Sequence, residues 1–486
     1  MAKAEGPWTM REWELPDYES ELPVSEKSNP LTRDIDRASA NHVVRLLEAS
    51  DAEMFQGETG SPYKKLFSDS VIKTMMEVAE KVAHILKGAT EGLVVISGCG
   101  TSGRLAFLIA THFNRLLTSV NRSPVLAYLI AGDDKALLSS QEAPEDDAHQ
   151  GMLSLQKLCE GKRRVLFIGV SCGLSAPFVA GQLHLCLQHP ETYTPVLLGF
   201  NPAAEPIPGC RFTFQSVVQQ LEELAVNQRA FLLNPAVGGG SATKILLESV
   251  LSAAHEAAHA NTHITHTGML ERVREYERAV AATYAQTEVI AGLVESAGQS
   301  LLLGGRVCYL GWGSLGAVGL MDASECIPTF GADYEDVRGF ISGGYQSLGN
   351  KDGPLTSLGP QFSISHADFE RLVLHALSDH DTQMELSSKL VLNAVSTGAH
   401  VLTGKVYRNH MVDLQVTNTK LYGRATRLLQ GLTGRPRAHT RSKVVPLALV
   451  CLLIGCSVSE AESLLVRQPV VRDAVEACLT AASTQA

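Results

Sequence analysis

Residues 94–104 read VVISGCGTSGR. Apolar Val94, Val95 and Ile96 run into glycines at 98, 100 and 103, the G-x-G-x-x-G spacing of a strand that turns tightly into a helix. Such a turn brings backbone N–H groups and the positive end of a helix to one point, which suits an anion. A dinucleotide site needs an acidic residue about 20 positions further on to hold the ribose. The corresponding stretch here, LTSVNRSP, has none, and the Walker pattern GxxxxGK[ST] is absent. No nucleotide or other cofactor is expected. The loop offers Gly100, Thr101 and Ser102 instead, two hydroxyls and backbone donors that fit a small phosphate ester; the competing reading is a tight turn with no ligand.

Outward from this loop, apolar strands and helices alternate. IKTMMEVAEKVAHILKG reads as a helix, GLVVISG as a buried strand, SGRLAFLIATHFNRLL as a helix and PVLAYLIAG as a strand. RRVLFIGVS (strand), APFVAGQLHLCLQ (helix) and YTPVLLGF (strand) follow. This is the pattern of an α/β fold with a parallel sheet covered by helices. A second hydroxyl-rich loop, VSCGLSAPF, places Ser171, Cys172, Gly173 and Ser175 between a strand and a helix. Loops at the ends of neighbouring strands can converge on one ligand. Ordinary capping by Ser175 is the plainer alternative.

The unit then repeats. LLLGGRVCYLGWGSLGAVGLMDA, from Leu301, aligns with the first loop so that Gly98, Gly100 and Gly103 fall on Gly311, Gly313 and Gly316, and LIAGDD matches FISGGY, Gly132 against Gly343. The second copy is short: its later strands are missing before the helical SSKLVLNAVSTGAHVLTGKV. The C-terminal part is helical, with Ser459 and Glu462 in SVSEAESLL read as a capping box. Near the N-terminus, Ser39 is positioned to cap RASANHVVRLLEAS.

Composition sets limits. The 486 residues are 45% hydrophobic, enough for two or three domains. The net charge of −10, without a long basic run, argues against nucleic acid and anionic membranes as partners. Ten scattered cysteines with no CxxC pair suggest a reducing compartment. The longest apolar run, residues 444–458, contains Pro446 and falls short of the ~20 residues of a membrane span. The N-terminal stretch has no signal-peptide core, so a cytoplasmic location is expected.

Two further patterns bear on chemistry. Glu142, Glu145, Asp146 and Asp147 cluster in QEAPEDD, and Glu325 lies in DASECIPTFG of the second copy. Either acid alone reads as solvated surface; facing one cleft, a pair can act as acid and base. HEAAH, residues 255–259, matches the H-E-x-x-H zinc pattern, but Thr262 and Thr265 stand where a metzincin continues with glycine and histidine. It is read as an exposed helix end, with no metal expected and a zinc hydrolase as the least favoured alternative.

GCGTSGR, VSCGLSAPFVAG, DASECIPTFG, GGSATKILLE and STGAHVLTGKVYRNHMVDLQVTNTKL, in this order, resemble the glucokinase regulatory protein family, relatives of the bacterial N-acetylmuramic acid 6-phosphate etherases. SEKSNPLTRDIDRASA is similar to that family's N-terminal part. The resemblance implies two tandem sugar isomerase (SIS) domains and a helical C-terminal lid. The boundaries expected are an N-terminal acidic tail and helical segment at 1–65, a first SIS domain at 66–283, a truncated second one at 284–395 and the lid at 396–486. It implies a non-catalytic inhibitor of glucokinase, modulated by fructose 6-phosphate and fructose 1-phosphate, found in cytoplasm and, by resemblance only, in the nucleus. It implies a phosphosugar pocket of Gly100, Thr101, Ser102, Glu145, Ser171, Cys172, Gly173, Ser175 and the lid residue Lys420. The alternative is an etherase-like lyase using Glu145 and Glu325. The chain departs from the family in lacking a serine-rich SSRMK stretch before GGSATK, the later part of the second domain, and part of a loop before VVPLALV. Pro328 stands where fructose-phosphate-responsive members often carry histidine. A truncated sheet is expected to leave an unpaired edge.

Overall fold

The computed structural model describes residues 27–57, 64–88, 91–201, 214–237, 240–260, 262–372, 385–413, 418–433, 445–468, 470–471 and 473–475. The N-terminal acidic tail up to residue 26 and the basic stretch RPRAHTRSK lie outside these residues.

Helix α1 (Ala40–Ala52) begins at Ser39, whose side chain accepts from the His42 N–H as expected. α2 (Asp69–Lys87) leads into β1 (Gly92–Gly98), then α3 (Gly100–Ser119), β2 (Leu126–Ile130) and the short α4 (Lys135–Leu138). α5 (Ala148–Leu158), β3 (Arg164–Val170), α6 (Pro177–Gln188), β4 (Tyr193–Leu198), α7 (Phe214–Ala225) and β5 (Phe231–Leu233) complete the first sheet. Every strand reading holds; β5, three residues long, has too short a pattern to be recognised in the sequence. The five strands are parallel in the order β2-β1-β3-β4-β5. Alternate residues of β1 serve opposite faces: Val94 and Ile96 pack under α2 and α3, Leu93 and Val95 in the core beneath α6 and α7. Helices therefore cover both faces, which is why the strands read as continuous apolar runs.

The repeat is built as the glycine alignment predicts. α8 (Gly240–His259), α9 (His266–Tyr284) and α10 (Thr287–Leu302) precede β6 (Val307–Gly311), α11 (Gly313–Phe330), β7 (Val337–Ile341) and α12 (Gly344–Leu348). Gly100 and Gly313 open their helices at φ +49° and +53°. A Cβ on Gly103 would lie 2.5 Å from Ile130, and one on Gly316 would lie 2.8 Å from Ile341, the matching strand residue. The two copies thus share one solution: a left-handed residue to turn the chain and a bare Cα to let the helix sit on the next strand.

The second sheet is smaller. Among the described residues β6 pairs only with β7, extended by one bridge from Ile341 to Ser365. β1 has a strand on either side; β6 has one, and its residues are correspondingly less covered, Leu310 being exposed. This is the open edge expected of a shortened domain. α13 (His366–Leu372), α14 (Glu385–Leu402) and a hairpin of β8 (Val406–Tyr407) and β9 (His410–Met411) follow. The last helices are α15 (Thr419–Thr433), α16 (Val445–Ile454) and α17 (Val458–Arg467), which close a small core of their own around Leu421, Leu449 and Val450. The capping box there is Ser457 with Glu460, two residues earlier than the Ser459–Glu462 reading, because α17 starts at Val458. Among the described residues no single helix is long and apolar enough to cross a membrane, and α16 and α17 are bent by 110°.

The units are tied together. α1 packs on α10 and α14, and Asn409 of the hairpin turn donates to the Asn29 carbonyl at 2.9 Å. The segment after α12 docks on the first domain at buried Asp134, which accepts from Tyr128 Oη (2.6 Å), Asn350 Nδ2 (3.1 Å) and the Asp352 N–H (2.7 Å). Lys351 donates to the Tyr128 carbonyl at 2.6 Å. One continuous apolar core runs through both domains, from Val94 and Ile96 to Ala317 and Ile341.

Candidate functional site

With strand order 2-1-3-4-5, connections leave β1 and β3 to opposite sides of the sheet, opening a crevice at their C-terminal ends. β1 ends at Gly98, in register with Val170 at the end of β3. The glycine loop and the serine loop therefore start side by side, and Ser102 Oγ lies 3.5 Å from Cys172 Sγ. The first turn of α8, from the GGSATK stretch, joins them: Thr243 Oγ1 is 3.9 Å from Cys172 Sγ.

The serine loop is held by its own side chains. Ser171 Oγ accepts the N–H groups of Ser175 (3.0 Å) and Ala176 (3.2 Å), so Ser171 stitches the loop, and the N-cap position of α6 falls on Ala176, one residue after Ser175. Leu174 takes φ +52°, a strained choice for a branched side chain. Its side chain lies under Gly199, where a Cβ would come within 2.4 Å. The Gly173 carbonyl accepts from Asn201 Nδ2 at 3.1 Å.

Acids and cations close the crevice from three directions. Glu145 sits in a single turn (Ala143–Asp146) just before α5, 6% exposed, and its Oε1 lies 3.3 Å from where a Cβ on Gly100 would be. From the lid, Lys420 Nζ stands 3.9 Å from Glu145 Oε2, and Asn418 donates to Glu142 at 3.1 Å. From the second domain, Glu325 on α11 accepts from Thr101 Oγ1 at 2.7 Å and ion-pairs with Arg104, whose side chain is fully buried. All the residues singled out in the sequence, Gly100, Thr101, Ser102, Glu145, Ser171, Cys172, Gly173, Ser175 and Lys420, fall on this crevice or its supporting loops. Arg104 was missed. It follows directly on the glycines, but an arginine at a helix start reads as surface, and only the packing buries it.

Burial pushes the Glu145 carboxyl up to about 7; Lys420 opposes this, while Glu142 and Glu325 add to it and Arg104 opposes it. Between about 4.5 and 7 the folded chain retains a proton that the unfolded chain has lost, so stability falls as pH rises through this window. Glu145→Gln keeps the shape without the charge. It is expected to melt like the unaltered chain at pH 5 and to gain up to about 3 kcal/mol at pH 8. Thermal melts at the two pH values read this directly.

In the repeat register His112 of α3 stands opposite Glu325 of α11. A shallow pocket over the second glycine turn is lined by His112, Arg115, Gly313 and Ser314. The copies have thus exchanged a carboxylate for an imidazole, and the two clefts differ in chemistry.

The HEAAH histidines are not an exposed helix end. The rings of His255 and His259 lie 4.4 Å apart with both Nε2 atoms buried, while Glu256 pairs with Arg272. Packing of α8 against α2, α3 and α9 leaves this end of the helix half-covered. Among the described residues no three His, Cys, Asp or Glu side chains group to hold a metal ion.

Hydroxyl-bearing loops at a sheet switch point, completed by a second copy of the same glycine-turn unit, define a tandem SIS-domain protein. Residues 77–187 match the glucokinase regulatory protein N-terminal SIS domain, 284–384 its second SIS domain, and 408–441 and 436–475 its C-terminal lid domain. The chain belongs to the glucokinase regulatory protein family. It is 40% identical to the glucokinase regulatory protein of Xenopus laevis, covering 96% of this chain and 95% of that one, and 38% identical to that of Homo sapiens, covering 96% and 94%. Both alignments run over 587 positions against 486 residues here, so the relatives carry internal segments that this chain skips. An N-acetylmuramic acid 6-phosphate etherase of Clostridium botulinum (strain Okra / Type B1) is 31% identical over 35% of this chain and 74% of its own length.

Proposed function

We propose that this chain is a non-catalytic regulator that binds a sugar phosphate in the β1/β3 crevice and inhibits glucokinase, with fructose 6-phosphate and fructose 1-phosphate as modulators. Membership of the family supports the regulatory role. The observation that carries the ligand class is the meeting of the two hydroxyl loops, Ser102 against Cys172, at the head of the 20-residue helix α3. Backbone donors and hydroxyls there suit a phosphate, Lys420 adds a cation on the lid side, and the carboxylates of Glu145 and Glu325 suit sugar hydroxyls, which donate to them.

The etherase reading draws on the same two carboxylates, with Glu145 titrating near neutrality. Glu325, however, is engaged by Thr101 and Arg104, an arrangement that suits a fixed binding group better than a proton carrier. The test is an activity assay of purified glucokinase with increasing amounts of the folded chain. Inhibition that changes on adding either fructose phosphate is expected. Absence of inhibition under all conditions, or lactate release from N-acetylmuramic acid 6-phosphate, would overturn the reading.

A further inference from the structure

Arg104 has no exposed surface, yet it carries a charge across a domain boundary. Its Nε donates to the Ala136 carbonyl of α4 at 2.9 Å, anchoring the side chain inside the first domain. Its Nη1 pairs with Oε1 of Glu325, the oxygen that also accepts from Thr101 Oγ1. Nη2 is buried with no hydrogen-bond partner. Among the described residues Glu325 is the one carboxylate in ion-pair contact with it.

A buried guanidinium deprived of its anion is strongly destabilising. Glu325 is therefore drawn to one place, beside the first turn of α3. The planar fork matters as well as the charge: one edge reaches Ala136 while the other holds the carboxylate. A lysine has one nitrogen and no such pair of fixed directions.

We propose that Arg104 is a positioning residue of the phosphosugar site, which acts by fixing Glu325 of the second domain against the glycine loop of the first. It does not touch the ligand; it makes a carboxylate from another domain a constant wall of the pocket. This rests on the phosphosugar reading given above. A consequence is that occupancy of the pocket and the contact between the two SIS domains share one ion pair.

The experiment is a double-mutant cycle on the full chain, read as fructose 6-phosphate affinity by titration calorimetry. Arg104→Lys and Glu325→Gln are each expected to weaken binding by about tenfold, and the double variant by no more than the weaker single one, because both remove the same arrangement. A purely structural role would lower the melting temperature without that non-additivity in affinity. Losses that multiply, or full affinity in Arg104→Lys, would overturn the assignment while leaving the phosphosugar reading intact. No binding by the unaltered chain would overturn the phosphosugar reading and this assignment with it. Should Arg104→Lys fail to melt cooperatively, Glu325→Asp against Glu325→Gln decides. The shorter acid keeps the charge but not the position, and is expected to lose nearly as much affinity as the amide; full affinity in Glu325→Asp would overturn the proposal.

Discussion

Ser102→Asp is expected to abolish the stabilisation that fructose 6-phosphate confers on the unaltered chain. A ligand at ~100 times its dissociation constant adds about 2.7 kcal/mol to the folded state, a shift that a cooperative melt resolves. Ser102 lies in the first turn of α3, nearly buried, with its hydroxyl facing Cys172 of the opposing loop. A carboxylate there puts a negative charge at the point offered to the phosphate, in a crevice that already holds Glu145 and Glu325. An acid near a helix N-terminus is favourable, but burial beside two other carboxylates opposes that benefit. A ligand-free melt that stays cooperative at a lower temperature, with no response to ligand, is therefore the expected result. Ser102→Ala, which removes one hydroxyl and leaves the backbone donors, should keep part of the response. A full shift retained in Ser102→Asp would mean that the phosphate sits elsewhere.

Gly181→Ala is expected to cost the fold about 3 kcal/mol or more, the upper end of what overpacking does. α5 and α6 cross with their backbones in contact at a pair of glycines. A Cβ on Gly181 would come within 1.9 Å of the Ala148 carbonyl oxygen, and one on Gly151 within 2.1 Å of the Phe178 carbonyl oxygen. These obstacles are backbone atoms, which cannot rotate away, so the helices must separate. The Glu145 turn runs straight into α5 through Asp147, whose side chain accepts from the Gln150 N–H. Separation should thus also displace Glu145 and weaken the ligand response. Urea unfolding measures the loss as a lower midpoint at unchanged slope. Gly292→Ala is the control. That position on α10 faces open space, and alanine there should stabilise slightly.

The strands, most helices and the repeat were legible because they are written in local terms. Runs such as LVVI and VLFI are apolar throughout since helices cover both faces of the sheet. Gly98, Gly100 and Gly103 recur at Gly311, Gly313 and Gly316 because the same turn needs the same bare Cα positions. β5 escaped notice because three residues leave little pattern. The HEAAH histidines were misplaced because periodicity does not reveal which neighbours a helix end will meet. The capping box shifted by two residues because S-x-x-E occurs twice in SVSEAESLL, at Ser457 and at Ser459, and only the backbone selects one.

The sequence by itself determined that two glycine-turned α/β units follow one another, that the second is short, and that hydroxyls gather after two strands. The tertiary structure decided which of these features meet. Strand order puts β1 beside β3 and so joins the Ser102 and Ser171 loops. Domain packing brings Glu325 to Arg104 across 221 positions, and the lid brings Lys420 to Glu145. The division has a physical cause. Turns and strands follow from sterics among near neighbours, whereas a buried charge takes its partner from whatever the folded chain places beside it, at a sequence distance that no local pattern records.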